Sequence, residues 1–124
     1  MQLKFYICKH CGNIITKVVN KGVPVMCCGE KMTELVSRTT DGAAEKHIPS
    51  YKVEGNLVQV NVDLVDHLMF KEHYIMWIAL KTRQEISIKA LKSNEESTAN
   101  FVRCDGNEVT PVYAYCNFHS LWKA

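Results

Sequence analysis

Four cysteines stand at metal-knuckle spacing: Cys8-Lys9-His10-Cys11-Gly12 near the N-terminus and Cys27-Cys28-Gly29 further on. A C-x-x-C turn points two thiolates at one ion, and the glycine after it lets backbone amides close over the sulfurs without a Cβ clash. Four soft thiolates in a tetrahedron select zinc or iron. Zinc ribbons repeat C-x-x-C, whereas the second pair here is adjacent, so its sulfurs must leave one ion in a splayed geometry. That suits an iron electron-transfer centre better than a structural zinc, but spacing leaves both metals open. Closely spaced cysteines in a reducing compartment are metal ligands before they are disulfides. His10, inside the knuckle, reads as an exposed loop residue.

A second constellation is dispersed: His47, His67, His73, Cys116 and His119. Each histidine falls in a loop or at the end of a predicted strand, and Cys116 with His119 forms a C-x-x-H turn. In a β-sandwich such positions can converge at one end of a rigid scaffold. A lone histidine is usually a surface or structural residue; four placed this way with a cysteine point to a metal. Five mixed imidazole and thiolate ligands are too many for tetrahedral zinc. Blue copper takes two histidines, one cysteine and a weak axial methionine, and no methionine follows His119. Redox-active iron with one open position fits the set better.

The elements that must position these residues are strands. Residues 1–36 hold short β-prone pieces such as Ile14–Val19 between turn signals, too little to bury a core without a metal staple. Ser37–Gly42 reads as a polar linker with a turn. Beyond it, Val58, Val60, Val62 and Leu64 alternate with Gln59, Asn61 and Asp63, the pattern of a half-buried strand. Tyr74–Leu80 is apolar on both faces, Glu85–Leu91 alternates again, and Phe101–Cys104 precedes the turn signal Asp105-Gly106-Asn107. Val109–Cys116 is read as the last strand, with Pro111 marking an edge or a strand start. Cys104, at a strand end, is expected to be a buried small apolar residue. No amphipathic helix or repeat is evident, and the expectation is an all-β chain: a small metal knuckle followed by a β-sandwich.

Composition narrows the function. The 124 residues carry a formal charge of +2 and are 47% hydrophobic. That charge offers no basic footprint for nucleic acid or anionic membrane, and no apolar run is long enough to span a bilayer. The opening MQLKFYICKHC lacks an h-region and a cleavage site, which predicts a cytoplasmic address. Three functions remain on these residues: a redox enzyme with an open iron, a closed electron carrier, and a zinc-stapled interaction module.

The two constellations together resemble the desulfoferrodoxins, the two-iron class of superoxide reductases. The N-terminal part is similar to desulforedoxin through Tyr6–Asn13 and Met26–Met32. The remainder is similar to the catalytic domain through Glu45–Pro49, His67–Ile78 and Cys116–Trp122. The resemblance implies two domains, a desulforedoxin-like Fe(Cys)4 domain over residues 1–37 and a catalytic immunoglobulin-like sandwich over 38–124. It implies that Cys8, Cys11, Cys27 and Cys28 hold one iron. A second would be held by His47, His67, His73 and His119, with Cys116 axial. It further implies one-electron reduction of superoxide to hydrogen peroxide as an oxidative-stress defence in an anaerobe or microaerophile. Rubredoxin or a similar donor would supply the electrons, and the chain would be a homodimer. Lys46 would draw in the anion and Glu45 would help product leave; without the resemblance both read as solvated loop charges. Leu68 stands where the family commonly has proline, and Phe70 where it has a polar residue.

Overall fold

The computed structural model describes residues 3–38, 48–62, 74–93, 96–104, 108–109, 111–117 and 120–124. The chain forms two compact units, residues 1–36 and 37–124. Every regular element among the described residues is a strand, and no described helix is long and apolar enough to cross a membrane.

In the first unit, β1 (Phe5–Ile7) lies between β2 (Ile14–Thr16) and β5 (Thr33–Leu35), antiparallel to both. A separate hairpin joins β3 (Met26–Cys27) to β4 (Glu30–Lys31). Its loop is Cys28-Gly29, with φ of 53° and 78°. Two consecutive left-handed residues make a type I′ turn, whose twist matches that of the flanking strands. Glycine adopts this conformation freely, but Cys28 does so against its Cβ. The β-prone run Ile14–Val19 is shorter as a strand than its composition suggests: it ends at Thr16, and Val18 and Val19 are exposed.

The second unit is a sandwich. Three strands form one sheet in the order β10 (Thr98–Val102), β7 (Leu57–Val62), β6 (Pro49–Glu54). Four form the other: β12 (Ser120–Lys123), β11 (Val112–Cys116), β8 (Ile75–Lys81), β9 (Ile86–Ala90). Successive hairpins pair β6 with β7, β8 with β9 and β11 with β12, while β10 crosses back to the first sheet beside β7. Seven strands in a four-plus-three arrangement with such crossings make an immunoglobulin-like sandwich.

The alternation in β7 works as expected: Val58, Val60 and Val62 are buried, while Gln59 and Asn61 face solvent. They pack against Ile75, Ile78, Leu80, Phe101, Val112, Ala114 and Cys116 in one core. Each of these valines contributes about 1.5–3 kcal/mol relative to leaving it exposed.

Five expectations change. Cys104 is exposed, not buried, because β10 ends at Val102 and the chain has left the sheet before it arrives. Val109–Cys116 narrows to β11, which begins just after Pro111 but lies between β8 and β12 as a central strand, not an edge. The last strand is β12, in a stretch to which the sequence reading gave no element. Within the supposed linker, Arg38 bridges to Trp122 on β12: its N–H donates to the Leu121 carbonyl at 3.0 Å, and its own carbonyl accepts from the Lys123 N–H at 2.8 Å. Its guanidinium lies 5.4 Å from the Trp122 ring centroid. In β9 the apolar residues of the alternation, Ile86 and Ile88, remain 44% and 49% exposed, since they pair with Lys81 and Ala79 on the face opposite the core residues Ile78 and Leu80.

Candidate functional site

The first site is built by two turns. After β1 the chain turns through Cys8–Asn13, closed by the Cys8 N–H donating to the Asn13 carbonyl and the Gly12 N–H donating to the Cys8 carbonyl, each at 2.8 Å. Gly12, at φ 89°, takes the left-handed position this closure needs. The β3–β4 hairpin presents the other pair, Cys27 at the end of a strand and Cys28 in the I′ turn. The ligand atoms of Cys8, Cys11, Cys27 and Cys28 all lie within 4.8 Å of one another. The Cys11 and Cys27 sulfurs are 3.6 Å apart, close to the roughly 3.8 Å edge of a tetrahedron with metal–sulfur bonds of about 2.3 Å.

The electrostatics of the cluster also call for a cation. The Cys8 thiol is lowered to about 6, chiefly by the Cys11 backbone N–H that donates to its sulfur at 3.4 Å. The neighbouring Cys11 and Cys8 sulfurs push Cys28 up to about 12 and raise Cys27 as well. Once one thiolate forms, each further ionisation is opposed by the charge already there. A bound metal ion removes that opposition. The Asn13 side-chain amide donates to the Cys27 sulfur at 3.7 Å, a polar contact that offsets thiolate charge. Cys8 is buried whereas Cys11 and Cys28 are exposed, so one side of the centre is open to a partner or solvent. His10 is exposed in the turn and belongs to no ligand cluster among the described residues.

The second constellation is described at Cys116 alone: Glu45, Lys46, His47, His67, His73 and His119, with Leu68 and Phe70, lie outside the described residues. Cys116 is fully buried in the sandwich core. The β11–β8 ladder shifts register there, from Tyr115↔Trp77 to Cys116↔Ile75, leaving Met76 as the extra residue of a bulge. A bulge re-aims the side chains beside it and is common next to functional sites.

Asn117 then ties this end of β11 to the start of β8. Its side-chain oxygen accepts from the Tyr74 N–H at 2.8 Å, and its own N–H donates to the Tyr74 carbonyl at 3.1 Å. Tyr74 directly follows His73 in sequence, and Asn117 directly follows Cys116. Ser120, the residue after His119, is held at φ 71°, a conformation a non-glycine residue keeps where its surroundings enforce it. Pro49 and Val62 are Cα partners in the β6–β7 ladder. Val62, Ile75 and Cys116 share one core.

Asn117, Ser120 and the bulge at Met76 were missed by sequence reasoning. The signal available for Asn117 was its type: an Asn inside a C-x-x-H turn is well suited to capture a backbone N–H. Beside the site, the Tyr115 and Trp77 rings stack at 5.5 Å and 6°. Burial raises the Tyr115 phenol above its ordinary range, with a further push from Cys116.

The family model for desulfoferrodoxin matches residues 39–124. The desulfoferrodoxin of Clostridium acetobutylicum is 37% identical over 122 residues, covering 98% of this chain and 95% of the relative. That of Nitratidesulfovibrio vulgaris is 37% identical over 123 residues, 99% of this chain and 96% of the relative. Among solved structures, the superoxide reductase from Treponema pallidum superposes with a TM-score of 0.85 at 32% identity, covering 99% of this chain and 98% of that one. The one-iron superoxide reductase from Giardia intestinalis matches 64% of this chain and 94% of its own length, with a TM-score of 0.53 at 27% identity. With a family model over most of its length and relatives at more than a third identity throughout, this chain belongs to the desulfoferrodoxin family.

Proposed function

We propose that this chain is a superoxide reductase with two iron centres, in which superoxide takes one electron and two protons to give hydrogen peroxide. The observation that carries this reading is the likeness to the Treponema pallidum superoxide reductase over both units, in a chain that has a four-thiolate cluster and retains four histidines and a cysteine for a second site. Cys8, Cys11, Cys27 and Cys28 would hold one iron in residues 1–37. His47, His67, His73, His119 and Cys116 would hold the other in residues 38–124. Iron bound there supplies the electron that superoxide takes. The sandwich keeps Cys116 dry and fixed, and Asn117 joins its strand end to the chain next to His73.

Each turnover consumes one external electron, which makes a rubredoxin-like protein the fitting donor and the exposed side of the cysteine cluster a relay. Oxidative-stress defence in the cytoplasm follows as the role. Homodimer formation is part of the same proposal: a unit of 36 residues gains apolar burial by pairing, and Val18, Val19 and Val23 stand exposed on it.

Metal analysis with a visible spectrum and a superoxide assay tests the proposal. The expected result is two irons per chain and hydrogen peroxide formed without oxygen. Zinc alone and a colourless protein would end it. A closed electron carrier would show no spectral change on adding azide, whereas an open iron would.

Glu45 and Lys46 are proposed to act on the anions. A cation beside a shallow site raises the on-rate of a charged substrate, so Lys46 would draw superoxide in, and the Glu45 carboxylate would help product leave. Lys46→Ala is expected to slow second-order superoxide capture several-fold with iron content unchanged, and to flatten its dependence on ionic strength. An unchanged rate constant measured by rapid mixing would remove Lys46 from this role.

A further inference from the structure

The outer strand β9 reads Glu85-Ile86-Ser87-Ile88-Lys89, and its residues are arranged to meet a second copy of themselves. Among the described residues, its backbone is half used. The Leu91 N–H donates to the Met76 carbonyl at 2.8 Å and the Thr82 N–H to the Glu85 carbonyl at 2.9 Å. By the alternation of an antiparallel ladder, Glu85, Ser87, Lys89 and Leu91 spend their hydrogen bonds on β8. Ile86 and Ile88 therefore turn their N–H and carbonyl groups to the open side of the sheet. Their side chains are 44% and 49% exposed.

Proteins commonly guard such an edge with a charge, and Lys89 is the residue placed to do so. An unmatched lysine would oppose self-pairing. Here the match lies in the same strand. An antiparallel pair must set edge-facing residues against edge-facing residues, so allowed registers differ by two. In the one that places Ser87 opposite the partner's Ser87, Ile86 meets the partner's Ile88 and Glu85 meets the partner's Lys89, each twice by symmetry. Shifting one way sets Lys89 against the partner's Arg83, like charge on like. Shifting the other sets Glu85 against the partner's Leu91. A single register is satisfied in charge and apolar contact.

We infer that β9 is a homodimer contact, pairing antiparallel about Ser87 to join two four-stranded sheets into one. This rests on the homodimer reading above and assigns a surface to it. Neither Glu85 nor Ser87 takes part in the iron sites. The Glu85 carboxylate has no ion-pair partner among the described residues, and the Lys89 ammonium lies 5.4 Å from the Phe101 ring centroid.

Sedimentation equilibrium of the full iron-loaded chain tests the contact. Glu85→Lys sets lysine against lysine twice and is expected to weaken the dimer at least about tenfold. Adding Lys89→Glu restores the opposite pairing and is expected to recover the affinity. A second arm does not depend on the double variant folding. Ser87→Cys in a Cys104→Ser background is expected to give a disulfide-linked dimer under mild oxidation, because the facing residues would be about 4.5 Å apart at Cα. A dimer unaffected by Glu85→Lys, or no cross-link at Ser87→Cys above the parent, overturns the contact while leaving the homodimer standing. A parent that is monomeric at every concentration overturns both.

Discussion

Cys116→Ser is expected to reduce superoxide reduction by at least about 100-fold, since changes merely to groups behind metal ligands already cost 10–100-fold. The substitution is small. It keeps the volume nearly constant in a core position that is fully buried, so the sandwich should survive. A hydroxyl replacing the thiol there needs a hydrogen-bond partner and otherwise costs about 1–3 kcal/mol. A modest fall in melting temperature is therefore part of the expectation, and circular dichroism separates it from unfolding. The hydroxyl is a hard, neutral donor where the thiolate was soft and anionic, so iron at this site should be lost or altered in spectrum. The four-cysteine centre should keep its own spectrum. Full activity in a folded, iron-loaded variant would remove Cys116 from the ligand set and return it to the role of a core residue.

The mirror experiment is Cys8→Ser, expected to abolish the spectrum of the four-cysteine centre and one of the two irons. Cys8 is the ligand whose loss should hurt most. It is buried, its sulfur accepts the Cys11 N–H, and its thiol is lowered to about 6. Cys27 and Cys28 are both raised and give up their protons to a metal at greater cost. The two proposed sites fall in separate compact units, so superoxide reduction with a chemical reductant should stay within about twofold of the parent, as independent sites do. An inactive but folded variant with the second iron still bound would show that the N-terminal centre is needed for turnover.

The two sites differed in how far they could be read from residue order. The cysteine knuckle is local: Cys8 and Cys11 share one turn, Cys27 and Cys28 one hairpin, and turn chemistry at Gly12 and Gly29 is written in adjacent residues. Only the meeting of the two turns required the fold. The strands of the sandwich were legible where one face is buried, as in Val58, Val60 and Val62, because period two then follows directly from the pleat. It misled at Ile86 and Ile88, where the register with β8 turns the apolar face away from the core. It was silent at Ser120–Lys123, since four residues are too few to show a period and pair only because β11 lies beside them.

By itself the sequence determined the class of the chain, the four-cysteine set and the all-β pattern, since residue type and short-range spacing carry these. Tertiary structure decided what depends on neighbours distant in sequence. It brought the four sulfurs within 4.8 Å, placed β11 in the middle of its sheet, moved Cys104 to the surface, and bound Asn117 to Tyr74. The reason is that strand pairing is non-local: which strand is central, and which cysteine is dry, is set by partners that no window along the chain contains.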